Sequence, residues 1–432
     1  MIKLYLKQAW MLMKQNKLFT GIYVVGTGLS IALVMTMFII FYVKFAPIYP
    51  EYNRDRTLVM KNMKRYPKGK PDNWNCNGGV AYQVVKDMLP GLPHVEAVGG
   101  GLSDFMGDNK VTLPNKELLP VSTYYADAGF WRVFTFRFLG GKPFTKADVE
   151  ASMPVAVLSE GLAKRLFATA DATGRHFLYN GKDFRVTGVV EDVSNATPET
   201  AGDLWVPILH APWMTVESKR GLLGNTYAYI LVDDAANKET VRREVQDVIR
   251  KYNLQDKEYD HDIMGQPDNY ITSTFRQDVS KVPDMTEIAK SFCYILLALL
   301  FIPALNLSGM ISSRMHQRLC EVGVRKAYGA TRMQLMNQVL CENLLLTVIG
   351  GIVGLLISYL IVLTASDWIL TLFDKRIADP TKNMTLTTEM LFNPIVFSIA
   401  FGLCVVLNVI SALVPAASAL RHTIIRSLNT NR

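Results

Sequence analysis

"EVGVRKAYGATRMQLMNQVL", Glu321 to Leu340, is a charged, helix-prone stretch interrupted by one Gly-Ala-Thr turn. Uncharged runs flank it: Ser291–Ser313 before it and Asn343–Ser366 after it hold no Asp, Glu, Lys or Arg. Two further runs of this kind are Leu18–Val43 and Met390–Leu420. A helix crossing a hydrocarbon core needs about 20 apolar residues, and a buried helix of a soluble domain rarely runs that far without a charge. The pattern predicts four membrane helices, at 18–43, 287–311, 343–366 and 390–418, and no fifth run qualifies. The quoted stretch becomes a charged elbow, 312–342, between the second and third. The first run is longer than the roughly 7–15 apolar residues of a cleaved signal peptide. "FYVKFAPIYPEY" after it offers no small-residue cleavage site, so a retained signal anchor is expected.

Lys and Arg set the orientation. Residues 1–17 carry Lys3, Lys7, Lys14 and Lys17 and no acid. The elbow carries Arg314, Arg318, Arg325, Lys326 and Arg332 against Glu321 and Glu342, and the tail 419–432 carries Arg421, Arg426 and Arg432. Twelve basic residues against two acidic ones put +10 on these segments, in a chain whose net charge is +8. The positive-inside rule places both termini and the elbow in the cytoplasm. That leaves 44–286 and the short loop 367–389 outside. The excess charge is thus a topology signal, and nucleic acid is excluded as a partner.

Of the five cysteines only Cys76 lies in the large external segment, so no disulfide forms within it, and no Cys/His spacing suggests a metal. That segment alternates strands and helices. "RTLVMKNMKRY" (Arg56–Tyr66) reads as a strand. "GGVAYQVVKDMLPG" reads as a short helix with Val80, Val84, Val85 and Met88 on one side, and "HVEAVGGG" as a second strand. "TYAYILVDD" is a strand leading into "ANKETVRREVQDVIRKYNL", an amphipathic helix with Val241, Val245, Val248 and Ile249 together. "YITSTFRQ" is expected as the strand that closes this second unit. Between the units lies a β-rich insert, about 102–226, with strands "VAVLS", "HFLYN" and "DFRVTGVVEDV" and a hairpin turn at Tyr179-Asn180-Gly181-Lys182. The expected fold class is an α-helical membrane protein with four transmembrane helices and a large α+β extracytoplasmic domain. Two βαβ-type half-units form one lobe of that domain, and the β-rich insert forms the second.

Catalytic signatures are missing from the sequence. There is no GxxxxGK[ST] phosphate loop, no HExxH and no GxSxG elbow, and the six histidines have no ligand spacing. Asp127, Asp148, Asp183 and Asp192 read as surface turns. Ion paths across membranes need charged residues, which the four runs lack, so an ion-coupled transporter is disfavoured. Asn306 and Asn408 are assigned to hydrogen bonds between helices.

The elbow carries the most information. A helix is expected through about Tyr328, closed by Gly329 in the left-handed conformation. Thr331 then caps a new helix with Gln334 as its capping-box partner, and this helix runs on into the third span through Leu335, Met336, Val339 and Leu340. Cys320–Ala330 projects between two stiff helices as a docking element for a cytoplasmic partner. A clamp on membrane lipid headgroups is the competing reading.

"EVGVRKAYGAT" resembles the E-[IV]-G-[IV]-R-K-A-x-G-A pattern of the MacB/FtsX permease family of ABC transporters. The four-span layout with one large external domain resembles it too. A second resemblance covers "YYADAGFWRVFTFRFLGGKPFTKADVEASMPVAVLSEGLAKRLF" (Tyr124–Phe167) and "GRHFLYNGKDFRVTGVVEDV", similar to the MacB-like periplasmic core. The tail departs from the pattern at Ile424-Ile425, where many relatives have a Pro before the final Ala-Leu or Ser-Leu.

The resemblance implies that the elbow is a coupling helix seated on a separate cytoplasmic ABC ATPase subunit. Glu321, Gly323, Arg325, Lys326, Gly329 and Ala330 would form the contact. ATP would be bound by that partner, with no cofactor here. Some relatives fuse the ATPase to the same chain, whereas only about 17 residues precede the first span here. The resemblance further implies a homodimer or a heterodimer with a related permease, and a periplasmic adaptor and outer-membrane channel for an efflux role. Gly350, Gly351 and Gly354 allow close helix packing, as a dimer seam or as lipid-facing glycines. Three functions follow: mechanotransmission driving export; lipoprotein release or signalling to a cell-wall hydrolase; and, from another class, a membrane-anchored receptor or scaffold without an ATPase.

Overall fold

The computed structural model describes residues 2–15, 17–71, 75–104, 108–214, 221–276, 278, 280–317, 319–371 and 394–420. The tail residues 421–432 and most of the expected loop 367–389 lie outside them. The chain forms two compact units. One holds Met1–Tyr42, Thr286–Ile369 and Thr388–Arg432, the other Val43–Met285 and Leu370–Thr387.

The first unit is helical. Its helices include Ile2–Gln15, Lys17–Phe45, Met285–Gln317, Leu319–Ala327, Arg332–Thr371 and Pro394–Leu420. Among the described residues, Thr20–Phe45 and Arg332–Thr364 are long and apolar enough to cross a membrane, and Phe397–Leu413 is a shorter apolar helix. The segment 1–17 is more than a charged tail. It is a helix that buries Ala9 and Met13 and exposes Lys7 and Lys14. Met13 packs in a cluster with Tyr23, Leu335, Leu346 and Ala412.

The second unit is built on a sheet of twelve strands. At one end Asp268–Asn269, Thr57–Met60, Tyr227–Val232 and Val95–Ser103 lie side by side, each antiparallel to its neighbour. In chain order this is fourth, first, third, second, the arrangement of two interleaved split β–α–β units. Alternation along the strands explains the packing, because successive side chains point to opposite faces. Leu58, Met60, Ala228, Ile230 and Val232 join Val84, Val85, Val241, Val245 and Ile249 in one core. Val59, Tyr229 and Leu231 point the other way, into a second core with Phe130, Trp205 and the strand Val155–Ser159.

Among the described residues the insert has this second apolar core but no sheet of its own. Thr123–Ala126, Leu204–Pro207, Val155–Ser159, Lys182–Val190 and His176–Tyr179 continue the same sheet in that order. The hairpin turn forms where expected, with Asn180 and Gly181 at φ +48° and +76° and Tyr179 paired with Lys182. The glycines of "HVEAVGGG" let the turn at Gly129 lie against the strand. A Cβ on Gly99 would stand 2.7 Å from the Phe130 backbone.

Three expectations are corrected. Arg56–Tyr66 is not one strand: Thr57–Met60 and Met63–Pro67 belong to different sheets. The break is held at Lys61 and Asn62, whose N–H groups donate to Gln266 Oε1 at 2.9 and 3.3 Å. Val80 ends a strand, Cys76–Val80, and the helical piece after it is a single π turn, Val84–Met88. "YITSTFRQ" is a helix, Tyr270–Phe275, and the closing strand is Asp268–Asn269 just before it. Tyr270 and Ser273 are buried on one helical face, while the β-prone Tyr, Ile and Thr of this short segment favour a strand reading.

Candidate functional site

The elbow is fixed by its own backbone. Helix Leu319–Ala327 is followed by Tyr328 and by Gly329 at φ +89°. The N–H of Ala330 donates to the Arg325 carbonyl and that of Gly329 to the Lys326 carbonyl, both at 3.0 Å. This paired closure is a Schellman motif, which needs a left-handed residue at the Gly329 position. Thr331 opens the next helix. Its N–H donates to Gln334 Oε1 at 2.9 Å, and the Gln334 N–H donates to Thr331 Oγ1 at 3.3 Å. That is a reciprocal capping box.

The matched residues take distinct places. Gly323 is buried, while Val324 and Tyr328 are 46% and 90% exposed. Arg325 donates to Gln338 and so ties the two arms together. Burial, then the nearby Arg332 charge, hold the Lys326 ammonium below its ordinary pKa. Ala330 sits at the foot of the turn in the cluster with Met13 and Leu335. The Glu321 side chain lies outside the described residues.

Gly350, Gly351 and Gly354 are buried against other helices of the same chain. A Cβ on Gly354 would stand 2.6 Å from the Gly28 carbonyl oxygen, one on Gly350 3.0 Å from Thr27 Cβ, and one on Gly351 2.2 Å from the Phe401 ring. Small residues let helix backbones approach, and within this chain the three glycines face Gly28, Thr27 and Phe401 of other helices. Asn408 donates from Nδ2 to Thr347 Oγ1 at 2.6 Å, a bond between helices. The Asn306 side chain lies outside the described residues.

The external unit holds two features that the sequence reading missed. The first is a buried ionic cluster. Glu51 and Arg54 pair at 2.8 Å with both side chains almost fully buried, and Lys61 pairs with Glu199. Glu51 also accepts from Thr200 Oγ1 at 3.0 Å and from the Tyr270 hydroxyl. Glu199 accepts from the Tyr229 hydroxyl at 2.8 Å. The one sequence signal is the Glu51/Arg54 spacing directly after a long apolar run.

The second feature is a cleft of about 360 Å³ lined by Asp127, Tyr82, Lys86, Arg132, Glu150 and neighbouring residues. Asp127 is not a surface turn. It is buried and accepts the Phe130 N–H at 2.8 Å. Burial pushes its carboxyl up to about 6, against the opposing pull of the backbone N–H bonds. Asp148 does serve a turn, in a capping box with Thr145. Asp183 and Asp192 are exposed. Among the described residues no group of three or more His, Cys, Asp or Glu could hold a metal.

Two family models match the chain. The MacB-like periplasmic core domain covers residues 20–248, and the FtsX-like permease C-terminal region covers 294–424. The uncharacterized ABC transporter permease YknZ of Bacillus subtilis is 24% identical over 66% of this chain and 68% of its own length. The macrolide export ATP-binding/permease protein MacB of Aggregatibacter actinomycetemcomitans is 26% identical over 56% of this chain, but only 36% of its own length is matched. Among solved structures, the periplasmic region of MacB from Actinobacillus actinomycetemcomitans aligns with 50% of this chain and 94% of its own, at 16% identity and a TM-score of 0.34. The core-domain model alone spans more than half of the residues, and the permease model takes up the helices that follow it. The chain belongs to the MacB/FtsX family of ABC transporter permeases.

Proposed function

We propose that this permease works by mechanotransmission, relaying ATP hydrolysis by a separate cytoplasmic ABC ATPase to its periplasmic unit, and that the relay drives export across the envelope. In this reading four helices, 18–43, 287–311, 343–366 and 390–418, span the inner membrane. Both termini and the elbow 312–342 face the cytoplasm, and residues 44–286 face the periplasm. ATP is bound by the partner, and the permease acts as a homodimer or pairs with a related permease. A periplasmic adaptor and an outer-membrane channel complete the path. The names of relatives that export macrolides support the export direction.

The observation that carries the proposal is the elbow. A Schellman closure and a capping box back to back give Leu319–Ala330 a fixed shape. That shape presents Val324 and Tyr328 outward between two long helices. A rigid, partly apolar projection suits docking in a groove, where burying a Val or aromatic side chain contributes about 1.5–3 kcal/mol.

The test is affinity purification of the tagged chain from its own host, in detergent, with mass spectrometry of what co-elutes. A stoichiometric ATPase is expected. Arg325→Ala with Gly329→Val is expected to lose the ATPase while insertion and the external fold stay intact. Normal ATPase recovery with that double variant would overturn the docking assignment. A wild-type preparation with no nucleotide-binding partner after crosslinking would overturn the relay.

A further inference from the structure

We infer that Glu51 and Arg54 form a positioning clamp that fixes the last turn of helix Lys17–Phe45 in the periplasmic unit. With the Asp268–Arg276 pair, the clamp hands displacement of the helix ends to the two neighbouring strands Thr57–Met60 and Asp268–Asn269. This inference rests on the mechanotransmission reading.

The carbonyls of the last helical turn have no partner within the helix. Arg54 supplies one. Its Nη1 donates to the carbonyls of Val43 and Ala46, both at 2.8 Å. A guanidinium there also complements the negative end of the helix dipole. The rest of the fork is occupied. Nε donates to Glu51 Oε2 at 2.9 Å, and Nη2 lies 2.8 Å from the same oxygen. The guanidinium carbon stands 4.8 Å from the centre of the Tyr270 ring. Glu51 in turn is held by Thr200 and Tyr270. Tyr270 directly follows the strand Asp268–Asn269, and Thr200 adjoins Glu199, the partner of Lys61 at the end of Thr57–Met60.

The return passage is tied the same way. Arg276 is buried and grips Asp268 with two bonds, Nε to Oδ2 at 2.6 Å and Nη2 to Oδ1 at 2.8 Å. Its Nη1 donates to the Lys281 carbonyl at 2.7 Å, shortly before the helix that starts at Met285. Asp268 pairs with Val59 in the sheet. The Phe45 and Phe275 rings meet at 5.7 Å. The exit from one long helix and the approach to the next therefore end on the same two strands, through planar two-bonded contacts that hold geometry better than a single charge pair. Stability alone is a poor reason for such pairs, since apolar replacements of buried ion pairs are often neutral or better. A directional link is the better one.

The test uses the full chain with its ATPase in lipid nanodiscs, comparing amide hydrogen exchange with and without ATP. The main variant is Glu51→Gln with Arg54→Met, which removes both charges together. Thr200→Val is the milder variant should the first not fold, and Arg54→Lys is the conservative one. Wild type is expected to show an ATP-dependent change in exchange in Thr57–Met60 and Asp268–Asn269. The double variant is expected to keep ATPase binding, ATP hydrolysis and its melting temperature but to lose at least nine-tenths of that change. Thr200→Val should lose part of it, and Arg54→Lys should recover part.

Retention of the full change in a folded double variant, or in Thr200→Val if only that variant folds, would overturn the clamp. So would a loss that merely follows a lowered melting temperature. A wild type that binds no ATPase, or shows no ATP-dependent change, would overturn the relay itself and the clamp with it.

Discussion

The elbow and the buried ionic cluster are held together by opposite means. The backbone closure and the cap that shape the elbow's turn join residues at most five positions apart: Ala330 to Arg325, Gly329 to Lys326, Thr331 to Gln334. In the cluster, Lys61 meets Glu199 at a separation of 138 and Tyr270 meets Glu51 at 219. The elbow's turn is closed by residues close in sequence, whereas the cluster brings together residues from across the external unit. A local motif suits a part that a partner must recognise, and a non-local one suits a part that must feel the fold around it.

The difference breaks most visibly at Lys61. Lys61→Met alone leaves Glu199 charged and buried, and is expected to cost about 3–5 kcal/mol. Adding Glu199→Gln should return more than half of that. Chemical denaturation of the external unit checks both, and additive losses would show that the pair is not coupled.

Asp127 gives the next largest effect. Its folded-state pKa is raised from 3.8 to about 6. The stability linked to it is therefore fully present below the unfolded value and is lost as pH rises through about 6. The loss should be on the order of 3 kcal/mol. Asp127→Asn removes this titration, so the melting-temperature gap between variant and wild type should shift in the variant's favour between pH 4 and pH 7. A constant gap would contradict the assignment.

In the helical unit, Gly354→Val places a Cβ against the Gly28 carbonyl and Ile31. Overpacking of this kind costs about 1–3 kcal/mol, read as a lower denaturant midpoint in detergent. The smallest effects belong to the elbow. Thr331→Ala loses a cap worth about 1 kcal/mol, and Gly329→Ala strains a left-handed residue by about 1–2 kcal/mol. Both should leave the melting of the external unit unchanged while reducing ATPase recovery, a split that no substitution in the cluster should reproduce.

The same contrast governs what the sequence made legible. The strand Tyr227–Val232, the helix Lys238–Gln255, the Asn180-Gly181 turn and the elbow all follow from residues a few places apart. The break after Met60 did not, because its cause is Gln266 reaching back to Lys61 and Asn62. Asp127 looked like a turn residue because it is one. Its burial comes from strand Val95–Ser103 and from residues such as Tyr82 around the cleft, which local spacing does not reveal. Met13 was hidden for the same reason: its apolar partner is Leu335 at the foot of another helix. The glycines of the third long helix were legible as a contact but not as to whose, since a small-residue stripe carries no address.

The continuous sheet has a consequence for synthesis. Thr57–Met60 is made early, yet its neighbours on either side are Tyr227–Val232 and Asp268–Asn269. The strands of the insert pair mostly among themselves and with Val95–Ser103. During synthesis the insert can therefore assemble before the first strand finds its neighbours. Pairing that depends on distant residues is slow, and an unpaired edge invites aggregation in the meantime. Until Tyr227–Val232 and Asp268–Asn269 are made, Thr57–Met60 has neither of its neighbours in the sheet.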